Sequence, residues 1–177
     1  MDFETEAVAE AKNFARRFIR LNFPQISHVL VDQKLITDGA EGTTGKCDSC
    51  VGPCSFRPDL STQPDLLTAG IPCQPFSGLR WHKGAGANQR DPRSHSKFGS
   101  IDEFLFCLEK RHPRGFILEE VLKIMAKDPT TGETFLNDIM AKAASLGYGC
   151  AALIMNGDNW NDVPRQRHFT YIFFSGE

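Results

Sequence analysis

Apolar positions follow two rhythms along this chain. In residues 4–22, Val8, Ala11, Ala15 and Phe18 recur three and four apart, while Arg16, Arg17 and Arg20 face elsewhere. This spacing predicts an amphipathic helix, closed by Pro24. Residues 26–31 read as a strand that delivers Asp32 at its carboxyl end, and residues 65–69 as a short buried strand broken at Gly70 and Pro72. Helical periodicity returns at 98–108 (Ile101, Phe104, Leu105, Leu108) and at 134–146 (Phe135, Leu136, Ile139, Met140, Ala143), the second ending at Gly147 and Gly149. Between them, 115–118 predicts a strand ending at the acidic pair Glu119 and Glu120. Residues 150–155 predict another buried strand, 156–167 a polar loop and 169–174 a last strand.

Helices alternating with short apolar strands predict an α/β domain of three layers around a largely parallel sheet. In such folds chemistry sits after the carboxyl ends of strands, which selects the loops 70–97, 119–130 and 156–168. Residues 37–63 are rich in Gly, Thr, Ser, Cys and Pro and read as a long irregular insertion. The length, 177 residues, suits one domain, and 41% hydrophobic with 24% charged residues excludes disordered, collagen-like and coiled-coil chains. The longest apolar run, 150–155, is too short to span a membrane, and the acidic, polar start reads as no secretory signal. The expectation is a soluble protein inside the cell, in the nucleus if the host is eukaryotic.

A net charge of −2 argues mildly against sequence-independent nucleic-acid binding, but the distribution is uneven. Residues 80–97 hold Arg80, Lys83, Arg90, Arg93 and Lys97 against the single acid Asp91, with Trp81 and the small residues Gly84, Ala85 and Gly86. Such a loop suits a phosphate backbone, and equally a solvated surface. The six cysteines read as reduced thiols, with Cys107 and Cys150 as small core hydrophobes. Cys47, Cys50 and Cys54 cluster at x2 and x3 spacing. Structural zinc takes four ligands, and no fourth Cys or His lies close by. The cluster reads as a Gly/Cys-rich surface insertion, or as a site completed by a distant His or another chain, and no resident metal is assigned.

The first of the three loops begins Gly70-Ile71-Pro72-Cys73-Gln74-Pro75-Phe76-Ser77, where two prolines clamp the backbone around a cysteine. The second begins with Glu119, a carboxylate able to act as an acid, and the third carries Arg165 and Arg167 after Val163-Pro164. In this order and spacing, PDLLTAGIPCQPFS at 64–77, GFILEEV at 115–121 and DVPRQRHFTYIFF at 162–174 resemble the DNA cytosine-5 methyltransferases. NFP at 22–24 and the strand ending at Asp32 fit more weakly.

The resemblance implies a Rossmann-like S-adenosylmethionine-dependent methyltransferase fold spanning 1–177 as a partial catalytic domain, with the insertion at 37–63. It implies that Cys73 is the nucleophile adding to C6 of a flipped cytosine, that Glu119 is the acid at N3, and that Arg167 is the donor near O2. It places the cofactor against Asp32 and Pro72, and DNA against Gln74, Ser77, Arg80, Lys83 and Arg165. The family's first strand and Gly-rich cofactor loop, and its target-recognition region, are expected outside this sequence, in the same gene product or a partner chain. Glu120 stands where the family has Asn, which puts a second carboxylate beside the first and near phosphates. The arginine motif aligns in two ways: with Phe169 in place of its last Arg, or, after a two-residue deletion, with Arg165 and Arg167 on both arginines. The alternative to an enzyme is an inactive methyltransferase-like piece that binds DNA or a partner.

Overall fold

The computed structural model describes residues 4–76, 91–128, 131–156 and 168–173. They belong to two compact units, Met1–Thr62 and Gln63–Glu177. The expected single sheet is resolved as two, one of two strands and one of four.

In the first unit, β1 (Ala7–Ala9) lies parallel to β2 (His28–Leu30), with Ala7 opposite His28 and Ala9 opposite Leu30. The helix predicted over 4–22 is therefore only half present, as α1 (Asn13–Asn22). Residues 7–9 satisfy their backbone groups across the sheet, and the Glu10 amide continues the ladder to the Leu30 carbonyl at 3.0 Å. The helical face is also turned from the expected direction. Phe14, Phe18 and Leu21 are exposed, whereas Arg16 is buried. Its guanidinium reaches Asp48 (2.8 Å) and the carbonyls of Glu10 (3.0 Å) and Ala11 (2.7 Å), so a hydrogen-bonded charge stands where an apolar anchor was expected. A short α2 (Leu35–Asp38) follows. α2 takes in the start of the stretch read as irregular; residues 39–63 carry no further helix or strand, but isolated bridges join Leu30 to Cys47 and Glu41 to Cys54. Leu30, Ala40, Cys47, Cys54 and Phe56 form the small core of this unit.

The second unit is built on β3 (Leu66–Gly70), β4 (Gly115–Val121), β5 (Ala151–Asn156) and β6 (His168–Phe173), in the order β3-β4-β6-β5. β3 and β4 are parallel, but β6 runs antiparallel to both β4 and β5. The largely parallel sheet is thus only partly realised. Eleven or so residues between β5 and β6 are too few for the helical crossover that a parallel neighbour needs, so the chain returns as a hairpin. On β4 the residues alternate. Phe116, Leu118 and Glu120 are buried, while Ile117, Glu119 and Val121 are only partly so.

Helices α3 (Gly99–Arg111) and α4 (Phe135–Ser145) cover the buried face. They contribute Ile101, Phe104, Leu108, Phe135, Leu136, Ile139 and Ala143 to one core with Phe116 and Leu118. Thr134 caps α4 by accepting the Asn137 amide at 3.0 Å, and His112 ends α3 in the left-handed region (φ 44°) just before Pro113. Among the described residues, no helix is long and apolar enough to cross a membrane.

Candidate active site

The parallel register of β3 and β4 sets Gly70 opposite Glu119. Beyond Gly70 the chain alternates between anchored and free residues. Ile71 is buried, Pro72 half-buried, Cys73 and Gln74 exposed, and Pro75 and Phe76 buried again. Residues 74–76 make a single 3-10 turn, in which the Phe76 amide donates to the Cys73 carbonyl at 3.0 Å. The Phe76 ring packs edge-on to Phe135, centroids 5.4 Å apart, and lies 6.3 Å from Phe98. Apolar side chains before and after Cys73 thus hold the turn to the core and leave the thiol in solvent.

Glu119 is not in a loop, as the sequence reading had it. β4 continues to Val121, because Glu119 and Glu120 pair with Tyr171 and Thr170 of β6. The Glu119 carboxylate stands over β3. A β-carbon at position 70 would lie 2.9 Å from its Oε2, so any other residue there would make the carboxylate end shift. Around it Thr68, Ala69, Gly70, Ile117 and Glu119 line an open depression of about 350 Å³. The exposed thiol and this carboxylate therefore share one end of a parallel strand pair.

Glu120 points the other way. It is 2% exposed on the face covered by helices, so it does not stand beside Glu119 near phosphates as the sequence suggested. The strand's alternation separates the two carboxylates. Its Oε2 accepts the Val121 amide at 2.8 Å, and Oε1 has no partner among the described residues. Burial pushes its pKa from 4.5 to about 8; the Val121 amide opposes that rise and the Glu119 charge adds to it. Burial thus favours the protonated form of Glu120 in the folded protein.

A carboxyl group raised on folding contributes stability that is full below its unfolded pKa of about 4.5 and lost as pH rises through about 8. Glu120→Gln removes that titration. The variant is expected to match the parent in thermal unfolding near pH 5 and to exceed it near pH 8.5, by on the order of a few kcal/mol. Parallel melting curves of the two proteins across this range would show the role to be wrong.

Of the other predicted positions, Asp32 lies exposed just past β2 in the first unit, where its Oδ1 accepts the Lys34 amide at 3.0 Å. Ser77, Arg80, Lys83, Arg165 and Arg167 fall outside the described residues. The strand that follows the two arginines starts at the Glu119 end of the sheet, since Phe169 of β6 pairs with Val121 of β4. Within the described part of the basic stretch, Arg93 is not free for phosphate. Its guanidinium pairs with the fully buried Asp128, lies 3.7 Å from Asp138, and sits over the Phe135 ring at 5.1 Å. Cys47, Cys50 and Cys54 do converge, and with them His28, which sequence spacing did not connect. No local rule links a histidine in a strand to cysteines 19 to 26 residues away; tertiary backbone pairing, including the bridges from Leu30 to Cys47 and from Glu41 to Cys54, brings them together.

The family model for C-5 cytosine-specific DNA methylases matches residues 2–175. Among curated proteins, the chain is 31% identical over 110 residues to the type II methyltransferase M.BsuFI of Bacillus subtilis, covering 62% of this chain and 24% of that one. It is 39% identical over 108 residues to the type II methyltransferase M.HgiCI of Herpetosiphon aurantiacus, covering 61% and 23%. The chain thus spans about a quarter of the length of these relatives. Among solved structures, it resembles a putative DNA modification methyltransferase of an Escherichia coli prophage at TM-score 0.59 and 17% identity, covering 97% of this chain and 40% of that one. Dnmt2 of S. pombe matches at TM-score 0.54 and 14% identity, covering 98% and 42%. These last two likenesses show a partial Rossmann-like α/β fold.

Proposed function

The chain belongs to the C-5 cytosine-specific DNA methylases, and from that membership we propose that it carries the thiol and acid of an enzyme that methylates C5 of cytosine in DNA. The observation that supports this most is the pairing of Gly70 with Glu119, which sets a carboxylate at the strand end from which Cys73 is presented to solvent.

C5 of cytosine is a poor nucleophile. The Cys73 thiolate adds to C6, forming a C–S bond, and the electron pair of the C5–C6 double bond becomes available at C5 as an enamine. Glu119 meets the charge that this addition develops at N3, donating a proton or a hydrogen bond there. Arg167 offers donors to O2. After C5 gains its methyl group, solvent water takes the C5 proton as the C6–S bond breaks, the thiolate leaves, the C5–C6 double bond re-forms and Glu119 recovers the N3 proton. The cytosine must leave the duplex stack to reach these groups, so DNA contacts fall to the residues flanking the thiol, Gln74 and Ser77, and to Arg80, Lys83 and Arg165.

S-adenosylmethionine, when bound, supplies an electrophilic methyl group. The family resemblance assigns Asp32 and Pro72 to it: within the first unit Asp32 is an exposed carboxylate past a parallel strand, suited to accept from the adenine amino group, and within the second unit Pro72 borders the turn that carries the thiol.

The test is transfer of tritiated methyl groups from S-adenosylmethionine to cytosine-containing DNA by the complete gene product. Glu119→Gln is expected to lower the rate about 10²–10⁴-fold while DNA affinity holds. A Glu119→Gln variant with the parent's rate would remove Glu119 from the role. A gene product that binds DNA yet neither binds S-adenosylmethionine nor transfers methyl groups would instead be the inactive DNA- or partner-binding piece.

A further inference from the structure

We infer that His28, Cys47, Cys50 and Cys54 bind one zinc ion as a closed structural site in the first unit. The inference is independent of methyl transfer. His28 Nδ1 lies 3.8 Å from the sulfur of each of the three cysteines, and the Cys50 and Cys54 sulfurs are 3.4 Å apart. All four donor atoms fall within 4.8 Å of one another. A tetrahedral zinc with ordinary Zn–S and Zn–N bonds sets its ligands ~3.6 Å (N to S) and ~3.8 Å (S to S) apart, so an ion fits among these atoms with little movement.

The backbone fixes this convergence from both sides. Hydrogen bonds from the Val31 amide to the Lys46 carbonyl (3.1 Å) and from the Asp48 amide to the Val29 carbonyl (2.8 Å) clip Cys47 beside the strand that carries His28. Arg16 holds Asp48, the residue after Cys47, at 2.8 Å. On the far side, the Cys54 amide donates to Thr43 (2.8 Å) and its carbonyl accepts from Gly42 (2.9 Å). Between Cys50 and Cys54 the chain reverses at Gly52, whose φ of +92° a side chain would strain. Outside the donor set, the Phe56 amide donates to the Cys54 sulfur at 3.3 Å, as suits a thiolate that carries charge to a metal. The Phe56 ring lies 5.1 Å from the imidazole.

Packing alone does not account for this arrangement. One imidazole nitrogen can share a proton with one thiol at a time, yet three sulfurs surround it at equal distance. A disulfide would use two of the cysteines and leave Cys47 or its neighbours facing the histidine without purpose. Four protein donors leave no open position, which marks a structural rather than a catalytic site. Two of the five buried residues in this unit's core, Cys47 and Cys54, are ligands, so the ion supplies cohesion that so small an apolar core lacks.

The full chain, purified under reducing conditions without added metal, is expected to carry about one zinc per molecule by elemental mass spectrometry. Cys107→Ser, whose sulfur lies in the other unit, should keep it. His28→Ala and Cys54→Ser should each lose most of it. Because those two variants could misfold, the parent is also stripped and reloaded with cobalt(II). The expected spectrum has intense visible bands of a tetrahedral ion and thiolate-to-cobalt charge transfer, and His28→Cys should keep the metal while shifting both. Zinc below a tenth of an equivalent even after zinc is supplied would overturn the site. So would a weak octahedral cobalt spectrum, or a Cys50–Cys54 disulfide found by mass spectrometry of the native protein.

Discussion

Cys73→Ala in the complete gene product is expected to cut methyl transfer to cytosine by more than about 10⁴-fold while leaving the fold intact. The size of the effect follows from the chemistry. Without a C–S bond at C6, C5 never becomes enamine-like, and no other described side chain near the turn offers a nucleophile: Gln74 is an amide, and Pro72 and Pro75 have none. The intact fold follows from the construction of the turn. What holds it is backbone and apolar: the Phe76 amide on the Cys73 carbonyl at 3.0 Å, and Phe76 and Ile71 buried on either side. The thiol itself is exposed, so its removal should change unfolding free energy by less than about 0.5 kcal/mol. Thermal melts and DNA binding by the variant should therefore match the parent, and tritium transfer alone should disappear. Equal transfer by both proteins would show that Cys73 is not the nucleophile, whatever the family motif around it.

Most of the second unit was legible in the sequence because local pattern and final environment agree there. The spacing of Ile101, Phe104 and Leu108 predicts α3, and those same residues are buried against Phe116 and Leu118. The cysteine turn was legible for a similar reason, since its two prolines and flanking apolar residues set its shape locally. Where tertiary partners decide, pattern reading failed. Residues 7–9 have helical spacing but pair with β2, and in α1 Phe18 of the predicted apolar stripe is exposed and Ala15 half-buried while Arg16 turns inward to Asp48. Glu119 and Glu120 look like one acidic pair, yet strand alternation sends one over Gly70 and buries the other. His28 could not be joined to its cysteines by any spacing rule, because the contact is made through sheet pairing.

Arg93 is the clearest case of a residue whose charge misled, and its loss is expected to destabilise the fold. Counted in a basic stretch, it suggests phosphate binding. In the fold its guanidinium is paired with Asp128, which is fully buried, and stacks over Phe135 and Phe98 at 5.1 and 5.9 Å. Asp91 positions it by accepting the Arg93 amide at 2.9 Å, and Asp128 belongs to the loop that leads into α4, where the Phe135 amide bonds to the Ala126 carbonyl at 3.3 Å. The pair thus ties the end of the basic stretch to the start of a core helix.

Arg93→Met keeps the apolar stem and deletes the charge, leaving a buried carboxylate with its cation gone. The expected loss is roughly 2–4 kcal/mol in urea unfolding, toward the low end because the arginine is itself about a third exposed to solvent. Asp128→Asn on the Arg93→Met background should recover much of it, since the orphaned charge is then removed, and the double-mutant cycle should give a coupling above about 1 kcal/mol. DNA binding supplies the second readout. A residue committed to Asp128 neutralises no phosphate, so Arg93→Met should leave the salt dependence of DNA affinity unchanged, whereas Arg80→Gln and Lys83→Gln should each make it shallower. A variant that unfolds like the parent but binds DNA with a reduced salt slope would return Arg93 to the phosphate-binding surface.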